Sequence, residues 1–334
     1  MIIKTKDNTS YSPLFSIVVP LHNKGSFFHR SLLSICKQTY RDYELIVVDD
    51  ASTDGGIEHL KSFPELSDKT CVIKRNNAGD GGYAARNLGI SLARGKFIAL
   101  LDADDIWKKN HLEVAKKLIS KEVEISFACT GFEEIYQGEK REIGFNDDKL
   151  LETSEFLEKY SKTDFMHTNS MIIPIKSFNQ TKGFPESGVK RGGDHLLWFQ
   201  LAMLGKPIAF SSRITTQYCR DNSRIIKTPS AMGGIHPVTQ EVQLILKKKK
   251  SLNLNLSKAD KLNLQRIANR KQFHWLLHRR RLGYSIVSNI RLITLQALTI
   301  RGWINIALLF TPSAILKILL FSRDRLRKLI NSIP

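Results

Sequence analysis

The stretch Gly95-Lys-Phe-Ile-Ala-Leu-Leu-Asp-Ala-Asp-Asp105 leaves a chain breaker, crosses five apolar residues and ends in three carboxylates within four positions. A short apolar run bounded by turn residues reads as a strand covered on both faces. Working outward, the same design recurs in Phe15-Ser-Ile-Val-Val-Pro20, Glu44-Leu-Ile-Val-Val48 and Cys71-Val-Ile-Lys74. Between these runs, Ser26 to Gln38, Ile57 to Phe63, Gly82 to Arg94 and Lys109 to Ser120 space their apolar residues as helices do. Strand and helix in alternation predict an α/β fold with a mostly parallel central sheet and helices on both faces. Sites on such sheets lie at the carboxyl ends of the strands.

Those ends are acidic. Asp49 and Asp50 follow the second run, and Asp102, Asp104 and Asp105 the fourth; Asn76 to Gly82 follows the third and leads to Arg86. Taken singly, an Asp pair after a strand is a turn or a helix cap, the glycine stretch is a loop, and Arg86 is a solvated helix residue. Gathered at one edge, the carboxylates would repel one another and raise each other's pKa. A hard divalent cation, Mn²⁺ or Mg²⁺, relieves that repulsion, and a nucleoside diphosphate would complete its coordination.

The chain has 334 residues, 42% apolar and 25% charged, which is a globular rather than a disordered composition. Its 51 Lys and Arg against 32 Asp and Glu give a net charge of +19. Residues 241–334 hold 19 of those cations and only 3 acids, so the front is nearly neutral and the tail strongly basic. The break falls in the Pro- and Gly-punctuated stretch 227–237. Cys36, Cys71, Cys129 and Cys219 stand far apart, the pattern of reduced, buried thiols in a cytosolic protein. The start, MIIKTKDNTS, lacks the apolar core of a signal peptide.

Four blocks in order resemble the family 2 glycosyltransferases of GT-A fold. They are Ser16-Ile-Val-Val-Pro-Leu-His-Asn23, Leu45-Ile-Val-Val-Asp-Asp-Ala-Ser-Thr-Asp54, Ala85-Arg-Asn-Leu-Gly89 and the Gly95–Asp105 stretch. Further on, Gly192-Gly193-Asp194-His195-Leu196-Leu197-Trp198 is similar to the family's Glu-Asp motif, and Tyr218 to Ser223 to its last short motif. The resemblance covers about residues 14–225. It implies a metal-dependent, inverting transferase that uses a nucleotide-sugar donor, more often a UDP-sugar. It places Pro20 and Asn23 in the loop approaching the nucleoside, Asp50 on the base, and Arg86 beside the nucleotide. Asp102 falls near the ribose, Asp104 on the metal, and Asp194 at the general base. Two departures stand out. Gly193 replaces the usual Glu, and Arg220-Asp221-Asn222 replaces a usual His, leaving Asp221 as a candidate metal ligand. His195 fits a helix residue pointing into the fold, and Trp198 either core or an acceptor platform.

The predicted domains are therefore a GT-A catalytic domain over 1–226 and a basic α-helical C-terminal region over 227–334. Within the first, the nucleotide-sugar half spans about 14–125 and the acceptor half 126–226. Helical spacing in the tail covers 238–250, 257–281, 284–299 and 303–330. In the last of these, Ile315, Leu319, Leu326, Leu329 and Ile330 accompany Lys317, Arg323, Arg325, Arg327 and Lys328. Apolar residues beside clustered cations suit a helix lying on an anionic membrane surface; a helical subdomain packed on the catalytic domain is the alternative. Pro312 and Lys317 interrupt the run from Trp303 to Phe321, which argues against a full span. A peripheral position on the inner face of the cell membrane would suit a glycan or lipid-linked acceptor in surface polysaccharide synthesis.

Three other classes compete. Nucleic acid would suit the charge, but the tail has no zinc pattern or aromatic RNA-binding motif and the front is near neutral. A nucleotidyltransferase would carry a different glycine signature than Leu21-His-Asn-Lys-Gly25. A catalytically inactive GT-A scaffold is favoured by Gly193 and disfavoured by Asp102, Asp104 and Asp194.

Overall fold

The computed structural model describes residues 2–3, 12–120, 123–222, 234–247, 254–281 and 287–311. Eleven strands form one sheet among the described residues. They are β1 (Ile2–Ile3), β2 (Phe15–Leu21), β3 (Tyr43–Asp50), β4 (Thr70–Arg75), β5 (Phe97–Leu100), β6 (Ile106–Trp107), β7 (Phe127–Tyr136), β8 (Glu139–Ile143), β9 (Lys149–Leu151), β10 (Met171–Pro174) and β11 (Ile208–Cys219). The order is β1-β4-β3-β2-β5-β10-β7-β11-β6, with β8 on β7 and β9 on β11. The neighbours β4, β3, β2 and β5 are parallel, as are β7 and β11. Antiparallel β10 bridges these two parallel groups.

Helices cover both faces, as the apolar strands require. Ile17, Val19 and Leu21 of β2 pack with Phe28, Leu32 and Ile35 of α1 (Gly25–Cys36) and with Ala99 and Leu101. Val18 points the other way, into a cluster with Ile46, Val48 and Ile98 and with Ile90 of α2 (Tyr83–Ser91). The period of two thus buries every position of β2 except the half-buried Pro20. Gly89 is what lets α2 lie this close: a Cβ there would stand 2.5 Å from Val18 Cγ1. The cover is completed by α3 (His111–Ile119), α4 (Thr153–Lys162), the short α5 (Ile175–Phe178) and α6 (Gly193–Ala202). Ile57 to Phe63, read as a short helix, is a 3₁₀ helix over Gly56–Ser62. Cys36, Cys129 and Cys219 are buried free thiols, and Cys71 is half-buried.

The C-terminal part supplies α7 (Pro237–Leu246), α8 (Lys258–Arg281), α9 (Val287–Ile290) and α10 (Ile300–Phe310). The helical spacing read over 284–299 does not become one helix. Both backbone groups of Thr294 are taken by the Asn269 side chain: its Oδ1 accepts at 2.8 Å and its Nδ2 donates at 2.9 Å. Thr294 is held extended, and a single 3₁₀ turn, Leu295–Ala297, follows. Most of the apolar-basic run read over 303–330, including Pro312, lies outside the described residues, as does most of the 227–237 stretch. The core does not part at residue 226. Val238, Val242 and Ile245 of α7 and Leu264, Ile267 and Ala268 of α8 belong to the same cluster as Val18, Leu157 and Trp198. No described helix is long and apolar enough to cross a membrane.

Candidate active site

A cavity of about 640 Å³ opens at the carboxyl edge of β2, β3 and β5. Pro20, Asp50, Arg86, Asp102, Asp104 and Asp194 all line it. Three carboxylates of the sheet edge have a cation beside them. Arg75 ion-pairs with the buried Asp50, Arg86 with Asp102, and Lys24 with Asp104. The Gly79 N–H also donates to Asp50 Oδ2 at 3.0 Å, tying the glycine loop to the end of β3. Arg86 Nη1 donates to the Gly81 carbonyl at 2.9 Å, and its guanidinium lies 5.5 Å from the Phe184 ring centroid. The positive side chain is thus buried but held in position.

The three acids of the run 102–105 have different environments. Burial would raise Asp102, but Arg86, with His167 and Lys24, outweighs it and holds that carboxyl below its usual value. Burial pushes Asp104 up, and the Asp102 charge adds to this against the pull of Lys24. Burial drives Asp105 well above the usual range, with Asp104 and Asp102 adding to it. Asp105 faces inward, accepting from Cys219 N at 2.8 Å and Asn169 Nδ2 at 3.0 Å. It fastens the turn to the end of β11, whereas Asp102 and Asp104 present oxygen to the cavity.

These two carboxylates fit the hard-oxygen set of Mg²⁺ or Mn²⁺, which are commonly held by one or two protein carboxylates plus substrate phosphates. A ready-made cage is absent: no group of three His, Cys, Asp or Glu among the described residues is arranged to hold a metal. Asp221 is not brought to the pair; its Oδ2 accepts from Gln137 N at 2.7 Å, outside the cavity. Asn23 does not line the cavity either. Its Oδ1 accepts from Thr53 N at 2.8 Å and its N–H donates to Ser52 Oγ at 3.1 Å, stapling the loops after β2 and β3. Asn23 and Ala51 there adopt φ of 51° and 56°, a left-handed conformation that Ala rarely accepts.

Asp194 sits in the first turn of α6, where a carboxylate is favoured by the helix dipole. Gly193 has a local reason. A Cβ there would come within 2.7 Å of Tyr83 Cζ and 2.8 Å of Pro185 Cγ, and Tyr83 Oη accepts the Gly193 N–H at 3.0 Å. Tyr83, stacked on Phe184, fills the space a larger residue would need. His195 accepts at Nδ1 from Tyr160 Oη at 2.9 Å and from Lys271 Nζ at 2.8 Å. Burial and the Lys271 charge hold this imidazole down to about 4. Lys271, on α8, is itself buried; burial lowers it to about 8, although Asp164 Oδ1 at 2.7 Å opposes that shift. Trp198 is 1% exposed and so mainly core.

Sequence reasoning missed Lys24, Arg75, His167 and Lys271. Arg75 closes β4 and was open to the same strand-end argument as Asp50; Lys24 and His167 carry no local pattern. His167 stacks on Tyr218 with centroids 4.0 Å apart, at the junction with a second cavity of about 950 Å³. Asp194, His195, His167 and Tyr218 line both cavities.

A parallel half-sheet with paired acids at its carboxyl edge, extended by an antiparallel strand into a second parallel pair, defines a GT-A fold. Residues 16–178, just under half of the chain, match Glycosyl transferase family 2 and form a domain of that family. Staphylococcus aureus TarS, solved with UDP-GlcNAc, shares the fold at a TM-score of 0.66 and 19% identity, over 85% of this chain and 82% of that one. Glycosyltransferase GlyG of Streptococcus pneumoniae serotype 4 is 41% identical over 102 residues, 30% of this chain and 34% of GlyG. The Escherichia coli UDP-Glc:alpha-D-GlcNAc-diphosphoundecaprenol beta-1,3-glucosyltransferase WfgD is 38% identical over 120 residues, 36% of this chain and 46% of WfgD. The matches cover less than two thirds of these curated relatives. The mannosyltransferase PcManGT of Pyrobaculum calidifontis, in complex with GDP-Man and Mn²⁺, shares the fold at a TM-score of 0.55 and 18% identity, over 89% of this chain and 84% of that one.

Proposed function

We propose that the chain is an inverting glycosyltransferase of surface polysaccharide synthesis. It moves a sugar from a nucleoside-diphosphate donor, a UDP-sugar, to a hydroxyl of a glycan or lipid-linked acceptor. The observation that carries this reading is the convergence of Asp50, Arg86, Asp102, Asp104 and Asp194 on one cavity. The substrates named for WfgD and the nucleotide sugar in TarS support the donor class.

The residues divide the work by their chemistry. Asp50, fixed by Arg75 and Gly79 N–H, offers acceptor oxygens to a base edge. Asp102 and Asp104 would hold Mn²⁺ or Mg²⁺ against the donor's diphosphate. Such an ion, when bound, offsets charge on the leaving diphosphate. Lys24 and Arg86 add fixed positive charge at the same place, and their value is greatest where water is excluded. Asp194 accepts the proton of the acceptor hydroxyl, which is otherwise a poor nucleophile. Attack from the face opposite the diphosphate inverts the anomeric carbon. Nearby α10 exposes Ile300, Trp303, Ile304 and Phe310, apolar surface that supports attachment to the inner membrane face.

Calorimetric titration of UDP, GDP and dTDP, with and without Mn²⁺, tests the reading on wild type and Asp104→Ala. Metal-dependent binding of UDP that disappears in the variant is expected. Folded protein that binds none of the three would instead support an inactive scaffold.

A further inference from the structure

The second cavity has a different chemistry from the first. One wall is a single stripe of α8: Arg266, Asn269, Arg270, Phe273 and His274 line it, at the spacing of one helical face. The opposite wall comes from the catalytic part and includes Arg220 and Asp194. Arg270 Nη2 donates to Asp164 Oδ1 at 2.9 Å, which fixes its guanidinium. Arg266, one turn earlier, forms no ion pair with a described residue. The Nε of each is buried with no hydrogen-bond partner among the described residues.

Two like charges one turn apart repel each other on a bare helix. Buried, unpartnered guanidinium N–H groups are costly as well. Guanidinium groups that line a cavity wall present planar forks, which match phosphate oxygens in bidentate geometry. The cavity is continuous with Asp194, so a ligand seated there can reach the proposed general base.

We propose that this second cavity is the acceptor site, and that Arg266 and Arg270 of the C-terminal helix hold a phosphate group on the acceptor close to the reacting sugar. The inference rests on the glycosyltransferase reading of the first cavity. It assigns to the basic C-terminal region a role in choosing the acceptor. Phosphate of this kind occurs in a lipid diphosphate or in the phosphodiester backbone of a polymer.

Isothermal titration of the full chain in EDTA, with inorganic pyrophosphate and separately with dimethyl phosphate, tests the proposal. The proteins are wild type, Arg266→Ala, Arg266→Lys and Lys190→Ala, each checked for folding by thermal melting; Lys190 lines only the first cavity. Binding should weaken about tenfold or more in Arg266→Ala, recover partly in Arg266→Lys, and hold within twofold in Lys190→Ala. Tighter pyrophosphate supports the proposal with a lipid diphosphate as source, and tighter dimethyl phosphate supports it with a polymer. Binding that fails in Lys190→Ala and survives in Arg266→Ala overturns the proposal, as does folded wild type that binds neither probe. Titration of UDP with Mn²⁺ on the same samples keeps the two readings apart. UDP binding without phosphate binding sinks only the acceptor site, while loss of UDP binding in wild type sinks the donor reading beneath it.

Discussion

The two cavities meet at Asp194 yet balance charge in opposite ways. In the first, Asp50, Asp102 and Asp104 each have a neighbouring cation, so their charge is balanced within the protein and positive charge can be traded for a metal or a substrate. In the second, Arg266 has no carboxylate to answer it among the described residues, and the imbalance favours an anion. Fixed partners prepare a site for exchange, whereas missing partners prepare it for capture.

Asp194 lines both cavities, so its loss should have the largest effect. Asp194→Asn is expected to lower glycosyl transfer by ~10³-fold, the scale of a lost general base. UDP affinity should change by less than about twofold, as titration would show, because a general base would meet the acceptor and not the diphosphate. An equal fall in both would move Asp194 to the donor side.

Next in size is the polar link that joins α8 to the site. Asp164→Ala leaves Lys271, which is 3% exposed, without its carboxylate. Chemical denaturation should show a loss of ~2 kcal/mol, below that of a fully buried pair because the Asp164 side chain is 36% exposed. Gly193→Ala forces a methyl against Tyr83 and Pro185 and should cost ~2 kcal/mol by the same assay, as overpacking does. A smaller loss would mean that Tyr83 swings aside and reopens the space for a larger residue.

The pH response sharpens the contrast more gently. Burial holds His195 down to about 4, with Lys271 adding, and burial alone lowers His111 to about 3; His167 and His236 are lowered as well, burial first. An imidazole whose folded value lies below its unfolded value of 6.5 binds fewer protons when folded, so stability rises with pH across that window. Melting temperature should therefore fall as pH drops from about 6.5 towards 4, and His195→Gln should flatten part of that slope. Smallest of all, Lys162→Ala removes an exposed, solvent-screened pair with Glu158 and should leave the midpoint of denaturant titration essentially unchanged.

Most of the first cavity was legible from residue order. A parallel strand delivers whatever follows it to one edge, so Asp50, Asp102 and Asp104 needed only correct strands to be brought together. Pairing partners were harder to foresee. Lys24 meets Asp104 across 80 residues and Arg86 meets Asp102 across 16, contacts that no local periodicity encodes. Asp221 and Asn23 show the limit of motif reasoning, since each carboxylate or amide oxygen is spent on a backbone N–H. The tail was the least legible part. Its charge suggested a separate region, but Leu264 and Ile267 are hidden among basic neighbours and complete the catalytic core.

That shared core has a consequence for how such a chain can change. α8 turns Leu264, Ile267 and Ala268 to the sheet side, while Arg266, Asn269, Arg270 and Phe273 line the second cavity. The helix cannot be grafted as a module without carrying α4 and α7 with it. Drift in acceptor choice is left to one narrow stripe of side chains, where substitutions can alter what is recognised without dismantling the fold that recognises it.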